Sequence, residues 1–210
     1  MKDPGSQKPG FLRPGGLRFG VLGSGKGSNF RALAESFKNG MLGCEPVIVL
    51  SDVENAGILE LAQGFGIPSH FVPPGSFRTK MSPEAEGEVV RLLNEAQVDF
   101  VVLAGFMRVI KEPLLKAFPG RILNIHPSLL PDFRGLEAWR QAVDTGVAES
   151  GCTVHMVDAG VDTGRVLGQS RVPLLPGDTA ESLHARIQKA EHELYPRMVM
   201  EFTEGLQKEG

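Results

Sequence analysis

Apolar residues along the chain alternate between short continuous runs and longer segments with helical spacing. Runs typical of buried strands occupy residues 17–25, 45–52, 67–73, 99–106 and 121–127. Helical patterns lie between them, in residues 28–40, 56–66 and 82–97, and in the last of these Ser82 is the predicted N-cap and Pro83 the first helical residue. Strands that alternate with helices predict right-handed crossovers and an α/β fold, with a largely parallel sheet covered on both faces.

The pattern changes after residue 127. Residues 151–158 and 165–174 contain alternating positions separated by a short polar segment, which predicts a hairpin or an irregular strand pair. Residues 178–205 predict a long amphipathic closing helix, capped by Asp178 or Thr179 and bent or interrupted at Pro196.

Length and composition indicate one globular domain. The chain has 210 residues, of which 41% are hydrophobic and 22% charged. Residues 1–16 carry four Gly and three Pro without periodicity, so we expect a flexible extension there and a single domain over residues 17–210. Cys44 and Cys152 lie far apart and outside any CxxC pattern, which argues against a disulfide framework or a metal site.

Charge and hydropathy exclude some classes of partner. The net charge of −3 offers no general attraction for nucleic acid or an anionic membrane. No apolar run has the length of a membrane span, and no signal-peptide core is present at the N-terminus. We therefore expect a cytoplasmic enzyme or binding protein.

The loop GSGKGSN, residues 23–29, follows the first predicted strand. Its glycines bring backbone amides close together, and the next helix N-terminus favours an anion. Lys26, Ser28 and Asn29 add side-chain donors. A Walker loop is excluded because Gly27 follows the lysine. The loop therefore favours a monophosphate site.

Two other interpretations of this loop stay open. The third glycine of a dinucleotide fingerprint is absent, but Asp52 ends the second strand and could imitate the ribose-binding acid of a nicotinamide enzyme. A glycine turn of purely structural use also fits the pattern.

Asn124 and His126 end the fifth predicted strand in the stretch RILNIHPSLLP. Side chains at i and i+2 share a face of a strand, and Pro127 stops further ladder bonds. At the carboxyl end of a strand, the pair could bracket a carbonyl oxygen that becomes negative in a tetrahedral transition state. Taken alone, the motif is more typical of a structural histidine.

A second polar segment, residues 155–164, offers Asp158 and Asp162 in a glycine-bearing loop. A carboxylate near His126 would orient the ring and raise its pKa, as acyl transfer requires. No nucleophile elbow is present, so a covalent acyl-enzyme is not indicated, and Ser128 is assigned a structural role.

The segments GSGKGSN, VVLAGFMRVI, ILNIHPSLLPDFRG, GCTVHMVDAGVDTG and IQKAEHELYP occur in this order over about residues 17–205. In them the chain resembles the phosphoribosylglycinamide formyltransferases of the folate-dependent formyltransferase family. The resemblance implies the formyltransferase fold, a Rossmann-like three-layer α/β/α architecture with a central, mostly parallel sheet. It also implies transfer of the formyl group of 10-formyltetrahydrofolate, the co-substrate, to the amine of glycinamide ribonucleotide in purine biosynthesis, without a metal.

The same resemblance assigns roles to residues. Asn124 and His126 would stabilise the oxyanion, Asp162 would raise the pKa of His126 and relay a proton from the amine, and His155 would support the site. The implied phosphoribosylglycinamide-binding residues are Gly25, Lys26, Gly27, Ser28, Asn29, Gln188 and Glu191. The implied folate-binding residues are Arg78, Met107, Arg108, Val109, Ile110, Asn124, Asp158, Ala159, Gly160, Val161 and Asp162. Read without the family, Gln188 and Glu191 are polar residues one turn apart on a helix.

The chain departs from the family pattern at two places. Near residues 76–81 an insertion of about two residues leaves Arg78 and Lys80 as alternative contacts for the folate tail. At Arg165, relatives often have proline. Among relatives of this type, formyltetrahydrofolate hydrolase carries an additional N-terminal regulatory domain and methionyl-tRNA formyltransferase a C-terminal nucleic-acid-binding domain. We expect small-molecule substrates, no nucleic acid or membrane partner, and a monomer or homodimer.

Overall fold

A computed structural model describes residues 16–209 of the chain, and the predicted extension over residues 1–16 lies, except for Gly16, outside the described residues. The strands are β1 (Leu17–Leu22), β2 (Cys44–Ser51), β3 (Ser69–Phe71), β4 (Phe100–Leu103), β5 (Ile122–His126), β6 (Glu149–Met156) and β7 (Val166–Pro173). The helices are α1 (Ser28–Lys38), α2 (Gly57–Gly64), α3 (Pro83–Glu95), α4 (Glu112–Ala117), α5 (Ala138–Thr145) and α6 (Ala180–Glu209).

The seven strands form one sheet in the order β3-β2-β1-β4-β5-β6-β7. The strands from β3 to β5 pair in parallel, whereas β6 pairs antiparallel with both β5 and β7. The chain order reverses direction between β1 and β4, and a ligand crevice opens beyond the strand ends at such a point. The loops after β1 and β4 therefore flank one cleft.

Helices cover both faces of the sheet, because the central strands present apolar side chains to both faces. One core cluster joins Phe19, Val21 and Phe100 of the strands to α1 and α6. The second joins Leu22 and Leu103 to α3 and α4. The predicted three-layer α/β/α fold with a mostly parallel sheet is thus confirmed.

Most predicted elements are confirmed. Ser82 caps α3 by accepting a hydrogen bond from the Ala85 N–H at 3.2 Å, and residues 151–158 and 165–174 form the β6–β7 antiparallel pair. The helices α4 and α5 are not predicted by the pattern, and α4, with 6 residues, spans less than two turns of periodicity.

The long closing helix begins after Thr179, whose hydroxyl accepts a hydrogen bond from the Ser182 N–H at 3.2 Å. Thr179 is therefore the cap, while Asp178 pairs with Arg186 and accepts the Ser182 hydroxyl. Of the two predicted effects of Pro196, a bend or an interruption, the interruption is wrong, since α6 is one helix that runs through this residue. Burial of the flanking residues Tyr195 and Val199 against the sheet offsets the missing N–H.

Tyr195 fixes α6 to the ends of two strands. Its buried hydroxyl lies 2.8 Å from the Leu103 carbonyl of β4 and 3.2 Å from the Leu123 carbonyl of β5. Cys44 and Cys152 are buried free thiols. None of the helices within residues 16–209 is long and apolar enough to cross a bilayer.

Candidate active site

Asn124 and His126 lie on one face of β5, as the period of two predicts. Antiparallel pairing places Asn124 opposite His155 of β6 and His126 opposite Thr153. The Asn124 Nδ2 atom is 3.2 Å from His155 Nε2. A directly opposite pair of this kind brings side chains into contact. The strand register thus places His155 beside Asn124.

Hydrogen bonds fix the tautomer of His155 and the orientation of the Asn124 amide. The Nδ1 atom of His155 is 2.8 Å from the Met156 carbonyl, which only accepts, so Nδ1 carries the proton. In neutral His155, Nε2 is then the acceptor for the Asn124 amide. One hydrogen of that amide stays available for an oxygen in the cleft.

His126 uses both ring nitrogens. Its Nε2 atom is 2.8 Å from the Phe133 carbonyl and therefore donates to it, and its Nδ1 atom is 3.4 Å from Asp162 Oδ2. Phe133 adopts a φ of 53°, and the turn before it contains the buried Ser128, whose hydroxyl donates to the Asp132 carbonyl at 2.5 Å. This contact confirms the structural role of Ser128.

Asp162 reaches the two histidines from the loop after β6. Its Oδ1 atom is 3.5 Å from His155 Nε2, and its Oδ2 atom accepts the Gly135 N–H at 2.9 Å. Asp162 has a φ of 52°, a left-handed conformation that costs about 1 kcal/mol or more for a residue with a Cβ. Asp158 shapes this loop by accepting the Gly160 N–H and the Thr163 hydroxyl.

Burial and the neighbouring groups act on the pKa of His126 in opposite directions. Burial lowers the pKa of His126 below its ordinary value, and His155 adds to this, although the Phe133 carbonyl and Asp162 act in the opposite direction. Asp162 thus raises the pKa of His126, as a nearby carboxylate is expected to do, but only 5% of His126 is exposed and desolvation outweighs this contribution.

Asp162 is held in its ionised form. Burial opposes ionisation, but the neighbouring His155 side chain, the His126 charge and the Gly135 N–H together lower the pKa of Asp162. At neutral pH the cleft thus contains a carboxylate beside a histidine that is readily neutral, which is an arrangement suited to proton transfer.

The glycine loop has the geometry of an anion site. Gly27 precedes α1 with a φ of 79°, and a Cβ at this position would lie 2.8 Å from a side-chain atom of Ile58, so glycine is required. No side chain caps α1, which leaves the amides of its first turn open to a ligand. Gly25 and Lys26 are exposed.

Glu191 of α6 meets this loop at Asn29. The Asn29 amide donates to Glu191 Oε2 at 2.9 Å, and only 5% of Glu191 is exposed. Burial raises the pKa of Glu191 to about 7, although the bond to Asn29 opposes the rise. Gln188 is half-buried one turn earlier on the helix. The two predicted parts of the phosphoribosyl site, loop and helix, are therefore in contact.

Asp52 is not free to bind a ribose. Its Oδ1 atom accepts the Ser24 hydroxyl at 2.5 Å, and its Oδ2 atom is 2.7 Å from Arg108 Nε. The nicotinamide interpretation of Asp52 is therefore wrong, because both oxygens of the carboxylate are already used within the protein.

The predicted pterin-binding residues 107–110, called here the folate wall, follow β4. The Met107 N–H donates to the Ser24 hydroxyl at 2.9 Å, and the Val109 N–H donates to the Thr79 carbonyl at 2.9 Å. Ile110 is buried in the core and Met107 is exposed. Lys111, the next residue, donates its N–H to the buried Glu86.

The two alternatives for the folate tail differ in exposure. Arg78 is exposed, whereas the Lys80 ammonium lies 4.5 Å from the centre of the Phe77 ring. Within residues 16–209, no group of three His, Cys, Asp or Glu side chains is arranged to hold a metal.

The structure thus brings together the predicted trio of Asn124, His126 and Asp162, and separately Asn29 with Glu191. Sequence reasoning does not find the Phe133 carbonyl, the Gly135 N–H or the Ser24 hydroxyl as parts of the site. The first two are backbone groups and carry no side-chain signal. Ser24 lies in the glycine loop, and no sequence pattern there indicates that its hydroxyl accepts the Met107 N–H.

The architecture and the cleft define the class of protein. Residues 17–199 match the sequence profile of the formyl transferase family. The chain belongs to this family. Phosphoribosylglycinamide formyltransferase of Bacillus subtilis is 38% identical over 193 residues, which cover 92% of the chain and 97% of that protein. The particular group within the family is thus the phosphoribosylglycinamide formyltransferases.

Two further relatives agree. The crystal structure of glycinamide ribonucleotide transformylase 1 from Symbiobacterium toebii superimposes with a TM-score of 0.87 at 42% identity, covering 95% of this chain and 94% of that one. The trifunctional purine biosynthetic protein adenosine-3 of Drosophila pseudoobscura pseudoobscura is 45% identical over 90% of the chain. The chain spans 14% of that longer relative.

Proposed function

We propose that the chain transfers the formyl group of 10-formyltetrahydrofolate to the amine of N1-(5-phosphoribosyl)glycinamide, giving formylglycinamide ribonucleotide and tetrahydrofolate in purine biosynthesis. The observation that carries this proposal is the convergence of Asn124, His126 and Asp162 at the carboxyl end of β5. These groups are an amide donor, a histidine and an ionised carboxylate, and the cleft beside them is bordered by an uncapped helix N-terminus.

The reaction begins when the substrate amine attacks the formyl carbon. A C–N bond forms, and the formyl oxygen becomes negative. The free hydrogen of the Asn124 amide and a proton on His126 stabilise this oxyanion. Asp162 accepts the proton that the amine loses, directly or through water. Collapse of the intermediate re-forms the C=O bond and breaks the bond to N10 of the folate, and N10 takes up the proton that Asp162 received, directly or through water.

The bond from His126 Nε2 to the Phe133 carbonyl has a consequence for this sequence of steps. Nδ1 faces Asp162 and Nε2 is already donating, so His126 has no nitrogen left for the substrate in this conformation. The contact with Phe133 therefore opens before Nε2 donates to the oxyanion.

The phosphoribosyl part of the substrate is assigned to the glycine loop and α6. The open amides of residues 27–29 and the charge of Lys26 suit a phosphate. Glu191 accepts hydrogen bonds from the ribose hydroxyls, with Gln188 beside it. The Asn29–Glu191 contact supports this assignment, because it joins the two halves of the subsite.

The folate is assigned to the cleft between the folate wall and the loop over residues 158–162. Arg78 binds the acidic tail, since its guanidinium is exposed while Lys80 lies over Phe77. No metal takes part in this scheme. We further propose that residues 17–210 act as one domain in the cytoplasm, as a monomer or homodimer, on small-molecule substrates without nucleic acid or membrane partners.

Formyltetrahydrofolate hydrolysis is the alternative reaction, with water in place of the amine. Purified protein is therefore mixed with 10-formyltetrahydrofolate, with and without glycinamide ribonucleotide, and the loss of formyl folate is followed. We expect turnover only with the ribonucleotide, and formylglycinamide ribonucleotide as product. Equal turnover with water alone would identify a hydrolase and contradict the transferase proposal.

A further inference from the structure

Asp52 and Arg108 form a nearly buried ion pair that the formyl-transfer chemistry does not use. The Asp52 side chain is 2% exposed and that of Arg108 17% exposed, with Nε and Oδ2 2.7 Å apart. A buried carboxylate loses its hydration and is retained only where charged or hydrogen-bonding partners replace the water. Here the partners are Arg108, from the loop after β4, and the Ser24 hydroxyl, from the loop after β1.

The guanidinium of Arg108 ties two parts of the folate cleft together. While Nε bonds Asp52, Nη1 donates to the Phe77 carbonyl at 2.5 Å and to the Arg78 carbonyl at 3.0 Å. Residues 77–80, called here the folate arm, carry both candidate contacts for the folate tail. One side chain thus fixes the arm and the wall relative to the end of β2.

The other contacts between the arm and the wall are few. The Val109 N–H bonds the Thr79 carbonyl, and Lys80 pairs with Val109 in an isolated bridge. The side chains of Phe77, Arg78 and Thr79 are exposed, so the arm has little core of its own to hold it. Its position therefore depends on the bonds that Arg108 makes to its carbonyl groups.

We propose that Arg108 is a positioning residue for the folate, acting through its side chain: anchored by Asp52, its guanidinium holds the folate arm against the folate wall. This inference rests on the proposed function in one respect, that residues 77–80 and 107–110 border the folate. A planar fork with several N–H groups is needed to bond a carboxylate and two carbonyls at once, and a lysine ammonium does not reproduce that geometry.

The first test is Arg108→Lys, which keeps the positive charge beside Asp52 while removing the fork. We expect the KM for 10-formyltetrahydrofolate to rise roughly 10- to 100-fold, the loss typical of a displaced positioning group, with kcat changed less than about threefold. The KM for glycinamide ribonucleotide is expected to stay within about twofold, since its subsite lies on the glycine loop and α6.

Arg91→Lys is the matched control. Arg91 also pairs with carboxylates, Glu88 and Glu95, but on the solvent-exposed face of α3. Its replacement is expected to leave both KM values unchanged. Equal effects of Arg108→Lys on both KM values, or an unchanged folate KM, would overturn the proposal.

Hydrogen–deuterium exchange gives a second readout that requires no turnover. In Arg108→Lys, amides of residues 77–80 and 107–110 are expected to exchange faster, while those of β5 keep the rate of the parent protein. If Arg108→Lys does not fold, the double variant Asp52→Asn with Arg108→Gln leaves neither charge unpaired and undergoes the same measurements. Exchange that is unchanged or faster throughout the molecule would contradict a local positioning role.

The two proposals fail differently. A parent protein that does not formylate glycinamide ribonucleotide refutes the proposed function. Direct binding of tetrahydrofolate, measured by calorimetry under argon, and the exchange of the folate arm still decide the role of Arg108. Tetrahydrofolate binding that is equal in the parent and Arg108→Lys proteins refutes the positioning role alone.

Discussion

At the scale of single residues, the cleft depends on side chains that are held in costly states. Asp162 has a left-handed backbone, and Glu191 is a carboxyl group with 5% exposure. Asp162 is held by His126, His155 and the Gly135 N–H. Glu191 is held by the Asn29 amide. Replacement of either residue therefore tests a defined physical role.

Asp162→Asn is expected to lower kcat by about 10²–10⁴-fold while changing the KM values by a few-fold at most. The amide is similar in shape and keeps an acceptor for the Gly135 N–H, but it is neither a base nor an anion beside His126. Steady-state kinetics across pH check this result, with Asp144→Asn on the exposed side of α5 as the control. Near-normal turnover at every pH would show that Asp162 does not relay a proton.

Glu191→Gln is expected to change the pH dependence of stability. Burial raises the pKa of Glu191 from 4.5 to about 7, so the folded protein binds a proton that the unfolded chain has released. The stability that protonated Glu191 contributes is therefore fully present below about pH 4.5 and is lost as pH rises through about 7. The glutamine variant has no ionisable group at this position, so its stability does not fall in this way as pH rises.

Urea unfolding at pH 5 and pH 8 measures the difference. The free energy of unfolding of Glu191→Gln, relative to the parent, is expected to rise by about 2–3 kcal/mol between these pH values. Glu193→Gln, at an exposed position of the same helix, serves as the control. A difference that does not change with pH would mean that Glu191 titrates normally in the folded protein.

At the scale of elements, the loops after the strands determine what the cleft can bind. The loop after β1 turns into α1 at Gly27, the wall after β4 is anchored by Ser24 and Thr79, and the loop after β6 carries Asp162. Each of these loops is fixed by backbone groups as much as by side chains. Substitutions that change the backbone should therefore act more strongly than surface changes.

Gly27→Ala is expected to destabilise the protein by about 2–4 kcal/mol, the sum of left-handed strain and overpacking. The alanine would have to adopt a φ of 79°, and its Cβ would lie 2.8 Å from a side-chain atom of Ile58. Gly25→Ala is the matched variant, since a Cβ there meets nothing within 4 Å, and a change within about 0.5 kcal/mol is expected. Urea denaturation compares the two, and equal losses would contradict the steric explanation.

Prediction at this scale succeeds where the hydrophobic pattern is long and fails where it is short. The strands β1, β2, β4 and β5 are apolar runs of the kind that only a sheet covered on both faces can bury. The helix α4, with 6 residues, has too few turns to show a period. Pro196 suggests an interruption, but packing of α6 against the sheet outweighs the loss of one helical hydrogen bond.

At the scale of the whole molecule, all seven strands form one sheet, and both hydrophobic core clusters are built on the strands of that sheet. We therefore expect the chain to unfold in a single cooperative transition. The chain has one tryptophan, Trp139, whose ring stacks on His184 with centroids 3.8 Å apart, so its fluorescence reports the contact between α5 and α6.

The measurement is urea unfolding followed by Trp139 fluorescence and by far-UV circular dichroism. The two midpoints are expected to coincide. A lower midpoint by fluorescence would show that α5 separates from the sheet before the rest of the molecule unfolds, and it would contradict a single domain.

By itself, the amino-acid sequence determines the α/β class, most of the sheet, and the shared face of Asn124 and His126, and it predicts an anion site at the glycine loop. These follow from local periods and local backbone chemistry, which act over a few residues. The segment order also carries the resemblance to formyltransferases. Only the tertiary structure decides that His155 fixes the Asn124 amide, that Asp52 pairs with Arg108, and that burial outweighs Asp162 in setting the pKa of His126. The physical reason is that strand register, desolvation and pairing between loops join residues far apart in the chain, and no local pattern records them.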